Sequence, residues 1–294
     1  MRTTFALGLF LTFVSLSAAA CTGVVIAKDG HVIAGGNEVW FRNDSYMWAE
    51  PTVGTLHGVV YFGYEIRGEF GNDEPYWYEF QGINSAGLFF DSFGAPCAGL
   101  SDEEYLKPYM TGRMEQLIMR SCATVEDAVR MITQYNRSFM ICMQYLLVDR
   151  TGAAAVVENG AVVWMEDDTF AVTNFHLSNH SHGGWPCWRY DTATQRLAED
   201  SDPTIERVAS ILNAAHTSGT RYSVVCDLIT NRANAYYLGD FRHPIAIDLE
   251  TLWAEGSERV ALAGRMAGRA ARSRRRRRRI QQGVASPHCQ PAEA

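Results

Sequence analysis

Two β-branched apolar runs near the start of the chain, Val24-Val25-Ile26-Ala27 and Val32-Ile33-Ala34, flank Lys28-Asp29-Gly30. Asp-Gly between such runs predicts a β-hairpin, because both central positions of its tight turn need a positive φ. Further short apolar runs bounded by turn residues predict strands over 58–64, 87–91, 145–148, 154–158, 161–165, 170–173, 222–228 and 233–238. The turns between them are Asp149-Arg150-Thr151-Gly152, Glu158-Asn159-Gly160 and Thr230-Asn231-Arg232. Apolar spacing of three and four predicts helices over 102–120, 124–135, 192–199 and 204–215, with Ser121 and Thr124 as cap residues. Strands, two helices, strands, two helices and strands follow one another in that order. Segregated runs of this kind predict an α+β protein with antiparallel sheets, not alternating βαβ units.

The pattern divides the 294 residues into three parts. Residues 1–20 read as an export signal: Arg2 is a short basic start, an apolar run spans 5–16, and Ala18-Ala19-Ala20 provide small residues before a cleavage point. The run is shorter than a transmembrane helix, and no second one follows. The folded domain is expected over 21–260 and a basic, disordered segment over 261–294. An exported, periplasmic or secreted protein is therefore expected.

Charge sharpens this division. The formal net charge is −7, yet residues 265–294 hold nine arginines and one acid, Glu293, so the remainder carries −15. Six of the arginines run from Arg274 to Arg279 without an interleaved aromatic. Stacking partners for bases are absent there, so no nucleic-acid partner is expected. An apolar fraction of 47% excludes a disordered body. The seven cysteines, Cys21, Cys97, Cys122, Cys142, Cys187, Cys226 and Cys289, show no metal or redox spacing. They define no disulfide pairing, and Cys142 and Cys226, in apolar runs, are expected to be buried and reduced. There is no G-x-G-x-x-G, Walker or H-E-x-x-H sequence. No cofactor or metal is expected, and His176, His180 and His182 read as a solvated loop. A homo-oligomer is left open.

Cys21 changes the picture most. Cleavage after Ala20 would make it the first residue of the mature chain, combining a thiol with an α-amine that titrates at about 7.7 to 8.0. Nucleophile and proton acceptor could then reside in one residue. Amide hydrolysis also needs donors aimed at the developing oxyanion. Asn84, in Asn84-Ser85-Ala86-Gly87-Leu88, and Asn174, in Val172-Thr173-Asn174-Phe175, are the candidates. Arg221 is a candidate for binding a substrate carboxylate, with a structural ion pair as the alternative.

The Cys21-Thr22 start, the strand ending near Gly35 to Trp40, the Asn84 segment, Thr173-Asn174 and Arg221-Tyr222-Ser223-Val224-Val225-Cys226-Asp227 occur in an order that resembles the N-terminal-nucleophile linear amide C–N hydrolases. This is the family of choloylglycine (bile salt) hydrolases and penicillin V acylases. The resemblance spans roughly residues 21–252. It implies a four-layer αββα sandwich of two antiparallel sheets flanked by helices. It also implies attack by the Cys21 thiol on a non-peptide amide of a small molecule, with its own amine shuttling the proton. Asn174 and Asn84 would stabilise the oxyanion, and water would resolve an acyl-thioester. The sequence departs from the family where Gly36 replaces an arginine and Val39 replaces the carboxylate that holds the amine. Glu38 is one position away, where regular strand alternation is expected to turn it to the other face unless a bulge re-aims it. The competing readings are a Cys21 lipidated as a membrane anchor, a soluble binding protein and an inactive member of the same fold.

Overall fold

The computed structural model describes residues 20–68 and 74–264. The expected Asp-Gly hairpin opens it: β1 (Thr22–Lys28) and β2 (His31–Val39) pair antiparallel, and Asp29 and Gly30 have φ of 53° and 77°. The next strands are β3 (Tyr46–Glu50), β4 (Val59–Ile66), β5 (Tyr76–Asn84) and β6 (Phe89–Gly94). The helix expected over 102–120 is instead two, α1 (Asp102–Tyr105) and α2 (Met114–Ser121). Pro108, which has no N–H to donate, and Gly112, at φ 97°, separate them. After α3 (Val125–Thr133) come β7 (Met143–Val148), β8 (Ala154–Val157), β9 (Val162–Trp164) and β10 (Thr169–Val172). Helices α4 (Trp188–Glu199) and α5 (Ile205–Ala214) follow, then β11 (Thr220–Asp227), β12 (Arg232–Tyr237), β13 (Ile245–Asp248), α6 (Leu249–Glu255) and β14 (Ser257–Ala261).

Two antiparallel sheets result, with strand orders β10-β1-β2-β11-β12-β13 and β14-β3-β4-β5-β6-β7-β8-β9. Alternation along β1 explains their stacking. Cys21 and Val25 face a core shared with Phe62, Ile83, Phe93 and Leu146 of the larger sheet, whereas Val24 and Ile26 face Ala193, Val208 and Leu212 of α4 and α5. The outer face of the larger sheet packs Tyr61, Phe90 and Leu147 on Ile118 of α2 and Val129 of α3. The layers are therefore helix, sheet, sheet, helix, as expected. Gly23 lets the sheets approach closely, since a Cβ there would lie 2.7 Å from Phe93 Cζ.

Several boundaries differ from those read in the sequence. Ala261 closes β14 and Leu262 is fully buried, so the body reaches past residue 260. The remainder of the basic segment, and residues 1–19 of the leader, lie outside the described residues. Cys142 is an exposed partner of Cys97 in a disulfide, not a buried thiol. Cys226 is buried and reduced, as expected.

Candidate active site

The hairpin register pairs Thr22 with Asn37, which places Cys21 beside Glu38 on the face that looks into the inter-sheet core. Cys21 is 3% exposed. Its thiol donates to Glu38 Oε2 (3.6 Å) and its sulfur accepts the Val39 N–H (3.5 Å). The expectation that alternation turns Glu38 away is overturned: it lies on the same face as Cys21 because the two are cross-strand neighbours. A register shift in β11, between Thr220 and Tyr222, lies opposite Val39 and Glu38, where Arg221 is the extra residue of a bulge. With Ala20 attached, the nitrogen of Cys21 is a peptide nitrogen.

Behind the thiol lies a group of buried acids that sequence reasoning missed. Glu38 and Asp91 of β6 interact electrostatically, and Gln81 of β5 lies beside Asp91 over Gly36. Gln81 reaches it through a bulge at Phe80: Phe62 pairs with Gln81 and Gly63 with Glu79, so Phe80 is the extra residue. A Cβ at position 36 would lie 1.9 Å from Asp91 Oδ2 and 2.8 Å from Gln81 Nε2. The acid cluster thus fills the space above Gly36, and no larger side chain fits there without displacing it. Burial, then the charge of Asp91, pushes the Glu38 carboxyl well above the usual carboxylate range. Burial also pushes Asp91 up. For the Cys21 thiol, burial and the charge of Glu38 raise the pKa well above the ordinary thiol value, against the Val39 N–H and Arg189. The available signal was an acid inside the apolar run Phe89-Phe90-Asp91-Ser92-Phe93, since a carboxyl on a core face needs a partner.

Asn174 follows β10 on the other side of Cys21. Arg189, in the first turn of α4, ties the two together: Nη1 donates to the Cys21 carbonyl and to Thr22 Oγ1 (3.2 Å), and Nη2 to Asn174 Oδ1 (3.1 Å). Because the guanidinium only donates, Asn174 must present its oxygen to it, which fixes which way the amide points. The amide nitrogen then donates to the Gly94 carbonyl at 2.7 Å. Gln144 Nε2 holds the flanking backbone through the carbonyls of Thr173 (2.6 Å) and Phe175 (3.1 Å). Arg189 is a second residue missed from sequence; nothing about Trp188-Arg189-Tyr190 separates it from a surface arginine until the helix docks.

The other two sequence candidates do not join this group. Asn84 is buried, but its Nδ2 donates to the carbonyls of Met119 (2.9 Å) and Cys122 (2.8 Å) at the end of α2, on the outer face of the larger sheet. Its Oδ1 accepts from Ala86 N (3.1 Å) and Leu88 N (2.9 Å). Asn84 therefore closes a turn and caps a helix, and is corrected from oxyanion donor to structural residue. Replacing it with alanine orphans two helix-end carbonyls and two turn N–H groups, so a loss of about 1–3 kcal/mol is expected in denaturant melts. Catalytic rate per folded molecule is expected to be unchanged. Arg221 donates from Nε to Trp40 O (2.5 Å) and from Nη1 to Ser218 O (3.3 Å), so it ties backbone across the bulge. Of the loop histidines, His176 is buried and bonded to His182 (2.8 Å), so this loop is less solvated than expected.

No protein-family model and no curated protein matches the sequence. Solved structures do match the fold. The penicillin V acylase of Agrobacterium tumefaciens superposes with a TM-score of 0.56 at 17% identity, over 80% of this chain and 88% of that one. A variant of conjugated bile acid hydrolase from Clostridium perfringens gives 0.60 at 15%, over 82% and 96%. The Caenorhabditis elegans ortholog of N-acylethanolamine-hydrolyzing acid amidase gives 0.51 at 15%, over 82% and 100%. The chain thus shares the fold of these solved structures.

Proposed function

We propose that this protein is an exported cysteine hydrolase of linear, non-peptide amides, splitting a small acyl–amine or acyl–amino acid through an acyl-thioester on Cys21. The observation that carries this reading is the position of Cys21: its thiol bonds to a buried acid on one side, and its own carbonyl shares Arg189 with the Asn174 amide on the other. Removal of residues 1–20 would take Ala20 away and turn the nitrogen of Cys21 into an amine. Attack of the thiolate on an amide carbonyl would place negative charge on oxygen, and the Asn174 amide, tied to Cys21 through Arg189, would be the side-chain donor that meets it. The fold neighbours named above are amide hydrolases, which supports the same reaction class here.

Intact mass and N-terminal analysis of the exported protein, combined with a panel of N-acyl substrates, test this. A mature chain beginning at a free Cys21 that hydrolyses one of the amides is expected. An acylated Cys21, or a free one without turnover on any amide, would replace the reading with an anchored or binding protein. Asn174→Ala is expected to lower kcat by about 10²- to 10³-fold, with KM changing less, as for loss of one oxyanion donor.

A further inference from the structure

The thiol of Cys21 meets an acid pair, although Val39 stands where the family pattern places the carboxylate that holds the amine. Glu38 Oε2 is the acceptor of the Cys21 S–H at 3.6 Å, and both groups are closed off from solvent. The buried Asp91 carboxyl lies close enough for its charge to raise that of Glu38, so the two acids act on one another. Around them, Glu38 Oε1, both Asp91 oxygens, both polar atoms of the Gln81 amide and the hydroxyls of Tyr64 and Tyr222 are buried without a hydrogen-bond partner among the described residues. A cluster this polar, in a core this apolar, is costly to keep for packing alone.

We infer that Glu38 is a catalytic residue, the proton acceptor for the Cys21 thiol, and that Asp91, buried beside it, is its positioning residue. This rests on the reading of Cys21 as nucleophile. In the forward step the S–H bond breaks and its proton passes to Glu38 Oε2. The sulfur electron pair forms the C–S bond to the amide carbonyl carbon, and the C=O pair moves onto oxygen. As that oxyanion collapses, the C–N bond breaks and the departing nitrogen takes the proton from Glu38, leaving an acyl-thioester. Water then gives a proton to the Glu38 carboxylate as its oxygen bonds to the acyl carbon. The C–S bond breaks, and the thiolate recovers the proton as the carboxylic acid leaves. The groups facing Glu38 are Cys21 just before β1, Asp91 from β6, Gln81 from β5, Tyr64 from β4 and Tyr222 from β11, while Arg189 from α4 acts on the thiol. Burial and the charge of Asp91 raise the Glu38 carboxyl, so the acceptor form is gained as pH rises through a range above that of an ordinary carboxylate.

Mature protein and its Glu38→Gln and Asp91→Asn variants are compared by two readouts, the pH profile of kcat/KM and the pH profile of iodoacetamide labelling at Cys21. Glu38→Gln is expected to lower kcat/KM by about 10²-fold or more, the worth of a general base. Its labelling midpoint is expected to move to lower pH, because the amide N–H of glutamine stabilises a thiolate where the carboxylate opposed it. Asp91→Asn is expected to shift the acid limb of kcat/KM to lower pH by relieving Glu38 of a neighbouring charge. A structural role alone would move both readouts of Glu38→Gln the same way or neither. Turnover within about threefold of wild type in Glu38→Gln, or an unmoved labelling midpoint, overturns the assignment and leaves the Cys21 amine as acceptor. If Glu38→Gln does not fold, an unmoved acid limb in Asp91→Asn does so. Labelling needs no amide substrate, so it reports the action of Glu38 on the thiol even if the amidase reading fails.

Discussion

Cys21→Ala is expected to lower amide hydrolysis by about 10⁴-fold or more, with the fold retained. The size follows from removing the atom that forms the covalent bond: once the nucleophile is gone, only binding and oxyanion stabilisation remain, and no other group can split the reaction into two steps. Among the described residues the other free cysteines, Cys122, Cys187 and Cys226, are all buried, and only Cys21 donates to the acid pair. The same substitution is expected to abolish site-selective thiol labelling. Its stability cost is expected within about 1 kcal/mol, because alanine keeps the Cβ and loses one partly satisfied sulfur. Steady-state kinetics on the best amide, with a thermal melt beside it, check both parts. Turnover within tenfold of wild type would remove Cys21 from the mechanism.

Arg189→Ala is expected to damage stability and turnover together. The guanidinium is largely buried and donates to three acceptors on three segments: the Cys21 carbonyl before β1, Thr22 Oγ1 in β1 and Asn174 Oδ1 after β10. Hydrogen bonds to a charged group contribute about 1.5–3 kcal/mol, and orphaned acceptors carry a desolvation cost of about 1–3 kcal/mol. A net loss of about 3 kcal/mol is the expected order, which for a domain of this size lowers Tm by about 6–12 °C. The fraction that remains folded is expected to lose about 10²-fold in kcat, because the Asn174 amide loses the donor that fixes its orientation. Arg189→Lys is expected to restore little, since an ammonium lacks the planar fork that reaches the β1 and β10 sides at once. Differential scanning calorimetry and kcat measured below the melting range separate the two effects. A lysine variant with wild-type kcat would show that the charge alone matters.

Both residues reveal how unevenly the sequence encodes this site. Cys21 and Asn174 announce themselves locally, one by its place after a leader-like segment, the other by its place at the end of an apolar strand. Asn84 announced itself in the same way and proved to be a turn and cap residue, because a strand-end asparagine is equally suited to bonding backbone carbonyls or an oxyanion. The face of the strand decides between them, and a bulge at Phe80 sets that face for the neighbouring Gln81. Strands β3, β5, β13 and β14 went unread for a related reason. Apart from β13, all belong to the larger sheet, and β5 is covered by helix α2 outside and by the other sheet inside, so its Tyr76-Trp77-Tyr78-Glu79-Phe80 run lacks a clean two-residue alternation.

What the sequence by itself determined was the local layer of this protein: the Asp-Gly hairpin that presents Cys21, the helix α3 with its Thr124 cap, the helix α5, and the succession of strand and helix runs that makes the fold α+β. These depend on neighbours within a few residues, where propensity, periodicity and turn chemistry act directly. Only the tertiary structure decided which groups surround the thiol. Glu38, Asp91 and Arg189 come from β2, β6 and α4, and they meet through strand register, sheet stacking and the docking of one helix end. Those contacts carry no sequence spacing of their own, because they are set by packing between segments far apart in the chain.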